Sequence, residues 1–436
     1  MNQPTTWPAI AEHGVLRLFV VFVLYVAQGV PYGLILVALP GWLATQGVSA
    51  ASLGVFVSLA SLPWTMKFMH GFFMDRFAYL PMGRRRAWLI VAQGCMMAGL
   101  VICALIDPAA GQITLLAGIG FVVMLATTVQ DVAVDGMAVD LLQEKERPIA
   151  NGLMFGGQSL GIAAGGAAGG LLIAGFGLPT AMLAVAAFLL AVLMMVVALR
   201  ERPGEKLMPW TAGVASEINQ QRHLGAWMPL LRQTFGVILR RRSLILIVGV
   251  IMINASWGFF LTLTPSLAAD VTGWTDAMYS SASGSAYLLA GVLTIVLFGA
   301  LVAALGTRWS MLLATVVFAA VCIGMGMNEA AWAEDRTIRV FIYAVIGLYQ
   351  VILVVWAVTA MRLCSPAVAA TQFALYMAMA NLGISLGAAL VGPIEQLGGY
   401  SAVLYCIAAG LIMGGLIFFL FGRVEDKAVE LHPAVD

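Results

Sequence analysis

Leu160-Gly161-Ile162-Ala163-Ala164-Gly165-Gly166-Ala167-Ala168-Gly169-Gly170 returns 222 residues later as Leu382-Gly383-Ile384-Ser385-Leu386-Gly387-Ala388-Ala389-Leu390-Val391-Gly392. Leu, Gly, Ile, Gly, Ala and Gly coincide at one constant offset. Each stretch lies inside a long apolar segment, and glycines spaced by four share one helix face, where they allow two helices to approach closely. Pro40 and Pro265 extend the parallel at a similar offset. The chain therefore reads as two related halves, each a bundle of helices.

Composition says where those helices live. Of the 436 residues 62% are hydrophobic and 10% charged, and the mean hydropathy is +0.98, values that a water-facing surface of this size does not tolerate. Apolar segments long enough for a bilayer, roughly 20 residues at about 1.5 Å each, fall near 16–42, 50–76, 87–106, 113–142, 149–176, 180–199, 243–268, 277–304, 309–328, 336–363, 367–395 and 400–421. The expected fold is thus an all-α integral membrane protein of twelve transmembrane helices. It comprises a six-helix bundle over 1–199, a linker over 200–242, a second six-helix bundle over 243–422 and a tail over 423–436.

The distribution of Lys and Arg gives the orientation. With twelve crossings and the N-terminus inside, nineteen of the 22 basic residues fall on the inner side, Arg336 and Arg339 fall outside, and Lys67 falls within a segment. The positive-inside rule then puts both termini in the cytoplasm of a multi-pass inner-membrane protein. A formal net charge of +1 points to no nucleic acid. The five cysteines, odd in number and all within apolar runs, show neither a disulfide framework nor metal spacing. No P-loop, HExxH or paired CxxC is present, so neither a cofactor nor a metal is expected. The linker carries Trp227-Met228-Pro229-Leu230-Leu231-Arg232 and ends in Arg240-Arg241-Arg242, which fits either an amphipathic surface helix or a solvated connection.

An ionisable group at the centre of a bilayer costs about 2.5–3.5 kcal/mol on insertion scales, so such groups are functional suspects. The fourth segment holds Asp131 and Asp135, and the i, i+4 spacing puts both on one helix face. The second segment holds Lys67 and His70. Lys67 is eight residues from Asp75 and Asp131 nine from Asp140, so the two sit at similar depth and can pair. Two stacked carboxylates with one lysine respond to changes in solvation, which is the property proton coupling needs. A static ion pair that only fixes helix packing is the other reading of Lys67 with Asp131, but it leaves Asp135 surplus. Polar and aromatic residues available to line a solute cavity are Tyr25, Gln28, Gln130, Asn254, Trp257, Tyr349, Gln350, Trp356, Gln372, Tyr376 and Asn381. Aromatic faces with a few amides suit a sugar, a peptide or an aromatic chelator.

Between the second and third segments, Gly71-Phe72-Phe73-Met74-Asp75-Arg76 followed by Gly83-Arg84-Arg85-Arg86 resembles the loop signature of major facilitator transporters. The resemblance implies a cytoplasmic gate in which Asp75 meets a helix N-terminus and the basic residues meet Asp140. Gly71, Arg76, Gly83, Arg84, Arg85 and Arg86 belong to the same gate. The corresponding segment of the second half has Ala303 in place of Asp75, so one half alone carries it. The resemblance narrows with Tyr25-Val26-Ala27-Gln28-Gly29-Val30-Pro31-Tyr32-Gly33, Leu62-Pro63-Trp64-Thr65-Met66-Lys67-Phe68, Gln130 to Asp135, and Thr371-Gln372-Phe373-Ala374-Leu375. Together these look like the AmpG-like branch, which contains muropeptide permeases, siderophore permeases and acetyl-CoA transporters.

The function this implies is a monomeric, proton-coupled symporter that imports a small amphipathic or anionic solute across a lipid bilayer by alternating access. A muropeptide-like cargo ranks first and a siderophore second. An acetyl-CoA-type solute ranks below both because Lys67 alone is thin provision for a polyphosphate. The rival from another class is a membrane-embedded enzyme or receptor.

Overall fold

The computed structural model of the chain describes residues 9–143, 146–221, 236, 239–363 and 369–431, and these are helical apart from turns and one isolated bridge. Helix α1 spans Gly14–Thr45, α2 Ala50–Ser61, α3 Lys67–Arg76, α4 Arg86–Ile106, α5 Ile113–Leu141, α6 Arg147–Phe176 and α7 Leu178–Ala198. After a short α8, Glu217–Gln221, come α9 Arg241–Thr272, α10 Asp276–Leu293, α11 Gly299–Leu305, α12 Thr307–Met327, α13 Asp335–Leu363 and α14 Ala369–Leu431. Among the described residues ten helices are long and apolar enough to cross a bilayer. Helices dominate for a physical reason: hydrocarbon offers no partner for a backbone N–H or C=O, so each must be satisfied within its own segment.

The interruptions have local causes. Pro31 lacks an N–H and sits inside α1, and three residues on the chain widens to a π turn over Leu34–Ala38. Pro63 lies in the 3-10 stretch Leu62–Met66 that separates α2 from α3, where Thr65 Oγ1 donates to the Leu62 carbonyl at 2.7 Å. A second π turn, Thr294–Phe298, joins α10 to α11. In α14 the backbone leaves the helix at Gly398 and Gly399, and Gly399 has φ +65°, a conformation that penalises any residue with a Cβ. That stretch is therefore two helices run together.

The chain divides into two compact units. One comprises Met1–Trp42, Met66–Trp227 and Asp276–Gly291, and the other comprises Leu43–Thr65, Met228–Thr275 and Val292–Asp436. Each unit is built around one backbone-to-backbone helix crossing, and the two crossings are copies of each other. In the first, a methyl group on Gly161 would stand 2.4 Å from the Val26 carbonyl oxygen, one on Gly165 2.0 Å from that of Val30, and one on Gly33 2.3 Å from that of Ile162. In the second, the corresponding separations are 2.5 Å for Gly383 and Ile251, 2.0 Å for Gly387 and Ala255, and 2.1 Å for Gly258 and Ile384. The repeat visible in sequence is thus a duplicated contact, α1 on α6 and α9 on α14. Helix association in lipid has no hydrophobic drive, so dispersion between closely approached backbones supplies it.

The same device seats a further helix in each unit. Gly284 of α10 would clash with α6 at the Ala163 carbonyl, 3.0 Å away, and Gly54 of α2 with α14 at the Ala388 carbonyl, 2.4 Å away.

Gly165→Ala and Gly387→Ala should each force a helix pair apart and destabilise the protein by about 1–3 kcal/mol, the usual cost of overpacking. Gly118→Ala and Gly324→Ala, which meet nothing within 4 Å, should be neutral or mildly stabilising. Melting temperatures in detergent check this, and equal losses at all four positions would refute the crossing as the organising contact.

Candidate functional site

The polar groups expected to be isolated in hydrocarbon converge within the first unit. Lys67 opens α3 directly after the 3-10 stretch, and its Nζ pairs with Asp131 Oδ2 and lies 3.9 Å from Asp135 Oδ2. Asp131 and Asp135 are one turn apart on α5, so a single ammonium faces both. Helix α1 adds two donors. Gln28 Nε2 donates to Asp131 Oδ1 at 2.8 Å, and the Tyr25 hydroxyl donates to Asp135 Oδ1. A third bond between the same helices runs from Gln130 Nε2 to the Leu24 carbonyl at 2.9 Å. His70, one turn beyond Lys67, has Nδ1 3.4 Å from Thr128 Oγ1.

The two carboxylates differ in surroundings. The Asp131 side chain is 4% exposed, whereas that of Asp135 is 41% exposed. With both ionised the cluster carries one excess negative charge, because two carboxylates share one lysine. Asp131 is enclosed by its partners, and Asp135 is the member that reaches open space.

A second network ties the helix ends nearest the N-terminus of α1. Glu201, just past α7, accepts the backbone N–H groups of Arg84 at 3.2 Å, Arg85 at 3.1 Å and Arg86 at 3.3 Å. It thereby caps the positive N-terminal end of α4. Arg86 reciprocates by donating to the carbonyls of Val196 at 3.0 Å and Val197 at 2.8 Å, the last turn of α7. Asp140 Oδ2 lies 3.8 Å from Arg84 Nη1 and 3.9 Å from Arg85 Nε, and Arg85 passes over Gly136, where a methyl group would meet its Nε at 2.5 Å. Arg17 and Glu146 form a two-point pair at 2.8 and 3.2 Å. Gly83 adopts φ +98° to turn the chain into α4, and Gly71 lies within α3. The side chains of Asp75 and Arg76 lie outside the described residues. So does the linker stretch around Trp227, which reads as amphipathic in sequence.

In the second unit Tyr349 OH donates to Asn254 Oδ1 at 2.7 Å, and its ring stacks on Trp257 with centroids 3.8 Å apart and planes 1° from parallel. Trp356 and Tyr376 meet edge to face at 6.2 Å and are fully buried, with Trp356 Nε1 on Met377 Sδ at 3.2 Å and Tyr376 OH 2.7 Å from Ser243 Oγ. Asn254, Trp257 and Tyr349 are buried as well, so all five side chains lie in the interior of their unit. Gln350 is buried on α13, and Asn381 Nδ2 donates to the Trp64 carbonyl at 3.3 Å. The Gln372 side chain lies outside the described residues.

Sequence reasoning passed over Glu201, Glu146 and Arg17, because acids and bases beside a helix end look like ordinary solvated charges. It also passed over Gly157-Gln158-Ser159-Leu160-Gly161, which spells the turn motif of serine hydrolases. Here the motif lies in mid-helix, and Ser159 Oγ donates to the Phe155 carbonyl at 3.0 Å rather than standing on a strand-to-helix turn.

The sequence profile described as Major Facilitator Superfamily matches residues 21–388. Anhydromuropeptide permease of Escherichia coli is 24% identical over 439 residues, which cover 96% of this chain and 84% of that protein. Putative transporter AmpG 4 of Rickettsia felis is 26% identical over 155 residues, covering 35% of this chain and 37% of that one. The crystal structure of the nucleoside transporter NupG superposes with a TM-score of 0.69 at 12% identity over 93% of this chain and 99% of that one. A POT family transporter in complex with a thioalcohol conjugated peptide gives 0.71 at 13% identity over 94% and 96%. At these identities the two structures bear on the fold alone. The chain belongs to the major facilitator superfamily and is a transmembrane transporter of AmpG-like type, not an enzyme.

Glu205 bonds to the Arg202 backbone N–H at 3.0 Å and to Asn219 Nδ2 at 2.7 Å, yet burial, with the Glu201 charge beside it, pushes its pKa up to about 7 from an ordinary 4.5. Burial likewise raises Glu201. A raised carboxylate binds its proton more tightly in the folded state, so folding stability should fall as pH rises from about 4.5 through about 7. Glu205→Gln should remove part of that slope, on the order of 2 kcal/mol between the two limits. Melting temperature against pH checks it, and an unchanged slope in the variant would refute the assignment.

Proposed function

We propose that the protein is a proton-coupled symporter that imports a muropeptide-like solute, with Asp131, Asp135 and Lys67 as the coupling machinery. The carrying observation is a cluster of two carboxylates and one ammonium, gathered from α3 and α5 among apolar segments and held by donors from α1. Taking up one proton neutralises the excess negative charge. The cluster then exists in a charged and a neutral form, and the two differ strongly in the cost of facing a dry or a wet surrounding. A conformational cycle that alternately wets and closes this site exchanges a proton once per turn.

The cargo assignment leans on the likeness, over 96% of this chain and 84% of the relative, to a protein named anhydromuropeptide permease. Amide and aromatic groups such as Asn254, Trp257 and Tyr349 suit a sugar–peptide solute. Asp140 with Arg84 and Arg85 would serve as the cytoplasmic gate. Twelve crossings with both termini in the cytoplasm of the inner membrane complete the reading. They are supported by the break at Gly399, by the interrupted segment over 50–76 and by the bias of Lys and Arg. Transport by alternating access in a monomer is part of the same proposal.

Proteoliposomes with an imposed inward proton gradient should accumulate labelled anhydromuropeptide. Asp131→Asn and Asp135→Asn should each cut accumulation by about tenfold or more, within the usual range of coupling energies, with the melting temperature held in Asp135→Asn and lowered in Asp131→Asn, which leaves buried Lys67 without its closest counter-ion. Accumulation that survives collapse of the gradient would eliminate proton coupling. Uptake of an iron chelate but of no muropeptide would overturn the cargo.

A further inference from the structure

Tyr25 and Gln28 are expected from sequence to line a solute cavity, yet the structure commits both polar ends elsewhere. They stand three residues apart on α1, hence on one face, and each holds a different carboxylate. Both are buried. Gly29 and Gly33 point from the same helix into α6 at backbone contact, so α1 shifts relative to α5 only together with α6 or by opening the glycine crossing. The Gln130 bond to the Leu24 carbonyl sets the register between α1 and α5.

The internal repeat supplies a control. Matching the duplicated crossings places Val250 and Ile253 of α9 where Tyr25 and Gln28 stand in α1, and both are buried apolar residues. The helix pair therefore forms without polar groups at these positions, and their presence in α1 answers to the carboxylates.

The two donors also differ in kind. Gln28 presents its NH2 to Asp131 while its Oε1 is buried without a hydrogen-bond partner among the described residues, so reversing that bond would need a flip of the whole amide. A phenol can donate or accept. When Asp135 takes up a proton, the bond Tyr25 O–H···⁻O–C becomes Tyr25 O···H–O–C, and the contact survives with its direction reversed. Asp135 is also the more exposed carboxylate, 41% against 4% for Asp131. Resting on the coupling role given above to the two aspartates, we propose that α1 enforces a division of labour. Tyr25 positions Asp135 as the group that exchanges the proton, and Gln28 holds Asp131 as the fixed counter-ion of Lys67.

Two measurements on the full-length protein in lipid test it. In pH-difference infrared spectra, which need no solute, a protonated-carboxyl band should vanish in Asp135→Asn, persist in Asp131→Asn, shift in Tyr25→Phe and stay unmoved in Tyr349→Phe. In proton-driven uptake of labelled anhydromuropeptide, Tyr25→Phe should lose about tenfold, about 1.4 kcal/mol, and should cause no further loss when added to Asp135→Asn. A band that vanishes in Asp131→Asn instead, or ignores Tyr25→Phe, would overturn the division of labour while leaving proton coupling intact. Losses of the two variants that multiply would overturn it in the same way. Absence of any titrating carboxyl band sensitive to either aspartate would sink the coupling reading and this inference together.

Discussion

A carbonyl oxygen facing a glycine Cα sets most of what the first unit can be. In a solvent as apolar as the side chains themselves, helices gain little by hiding leucine, and close backbone approach is what distinguishes one pairing from another. Gly161 and Gly165 against Val26 and Val30 fix the height and rotation of α1 on α6. That rotation aims Tyr25 and Gln28 at α5, and α5 presents Asp131 and Asp135 one turn apart. The glycine crossing and the charge cluster are thus two faces of one helix, and the precision of the second depends on the rigidity of the first.

The cluster also shows how a bilayer protein keeps charge where charge is expensive. Lys67 and Asp131 neutralise each other, Gln28 satisfies a second carboxylate oxygen of Asp131, and Asp135 finds Tyr25 and a share of the lysine. Replacing a buried ion pair by packed hydrophobes often costs nothing and can stabilise. Stability alone therefore gives no reason for three charges here, and the third charge, with no ion partner of its own, gives still less.

Much of this was legible in the sequence, and the boundary of what was legible is physical. Length and hydropathy located the segments, because spanning a bilayer demands length. The repeat around Gly161 and Gly383 was visible because close approach admits so few residues. Counting residues to equal depth brought Lys67 to Asp131, since rise per residue is nearly constant in a helix. Rotation about the helix axis was not legible. A segment that is apolar all round carries no periodicity to say which face meets lipid, protein or water. Trp257, Trp356 and Tyr376, all buried in the structure, were therefore not told apart, and nothing in the sequence announced that Tyr25 and Gln28 bond to the aspartates. The capping of α4 by Glu201 joins residues more than a hundred positions apart, and no local pattern announces it.

The duplicated architecture makes the difference between the halves informative. Both units keep the same glycine crossing, so the scaffold is held in common, and the polar groups set around it differ. Tyr25 and Gln28 face carboxylates in the first unit, and the matching Val250 and Ile253 are plain packing in the second. The second unit instead carries an amide, a phenol and an indole locked together at Asn254, Tyr349 and Trp257, with no charge among them. A proton site needs a group whose charge can change, whereas a site for a neutral sugar or peptide surface needs flat area and a few oriented amides. Under the function proposed above, the titratable groups stay on α3 and α5, and the amide, phenol and indole of α9 and α13 add no charge to compete with them.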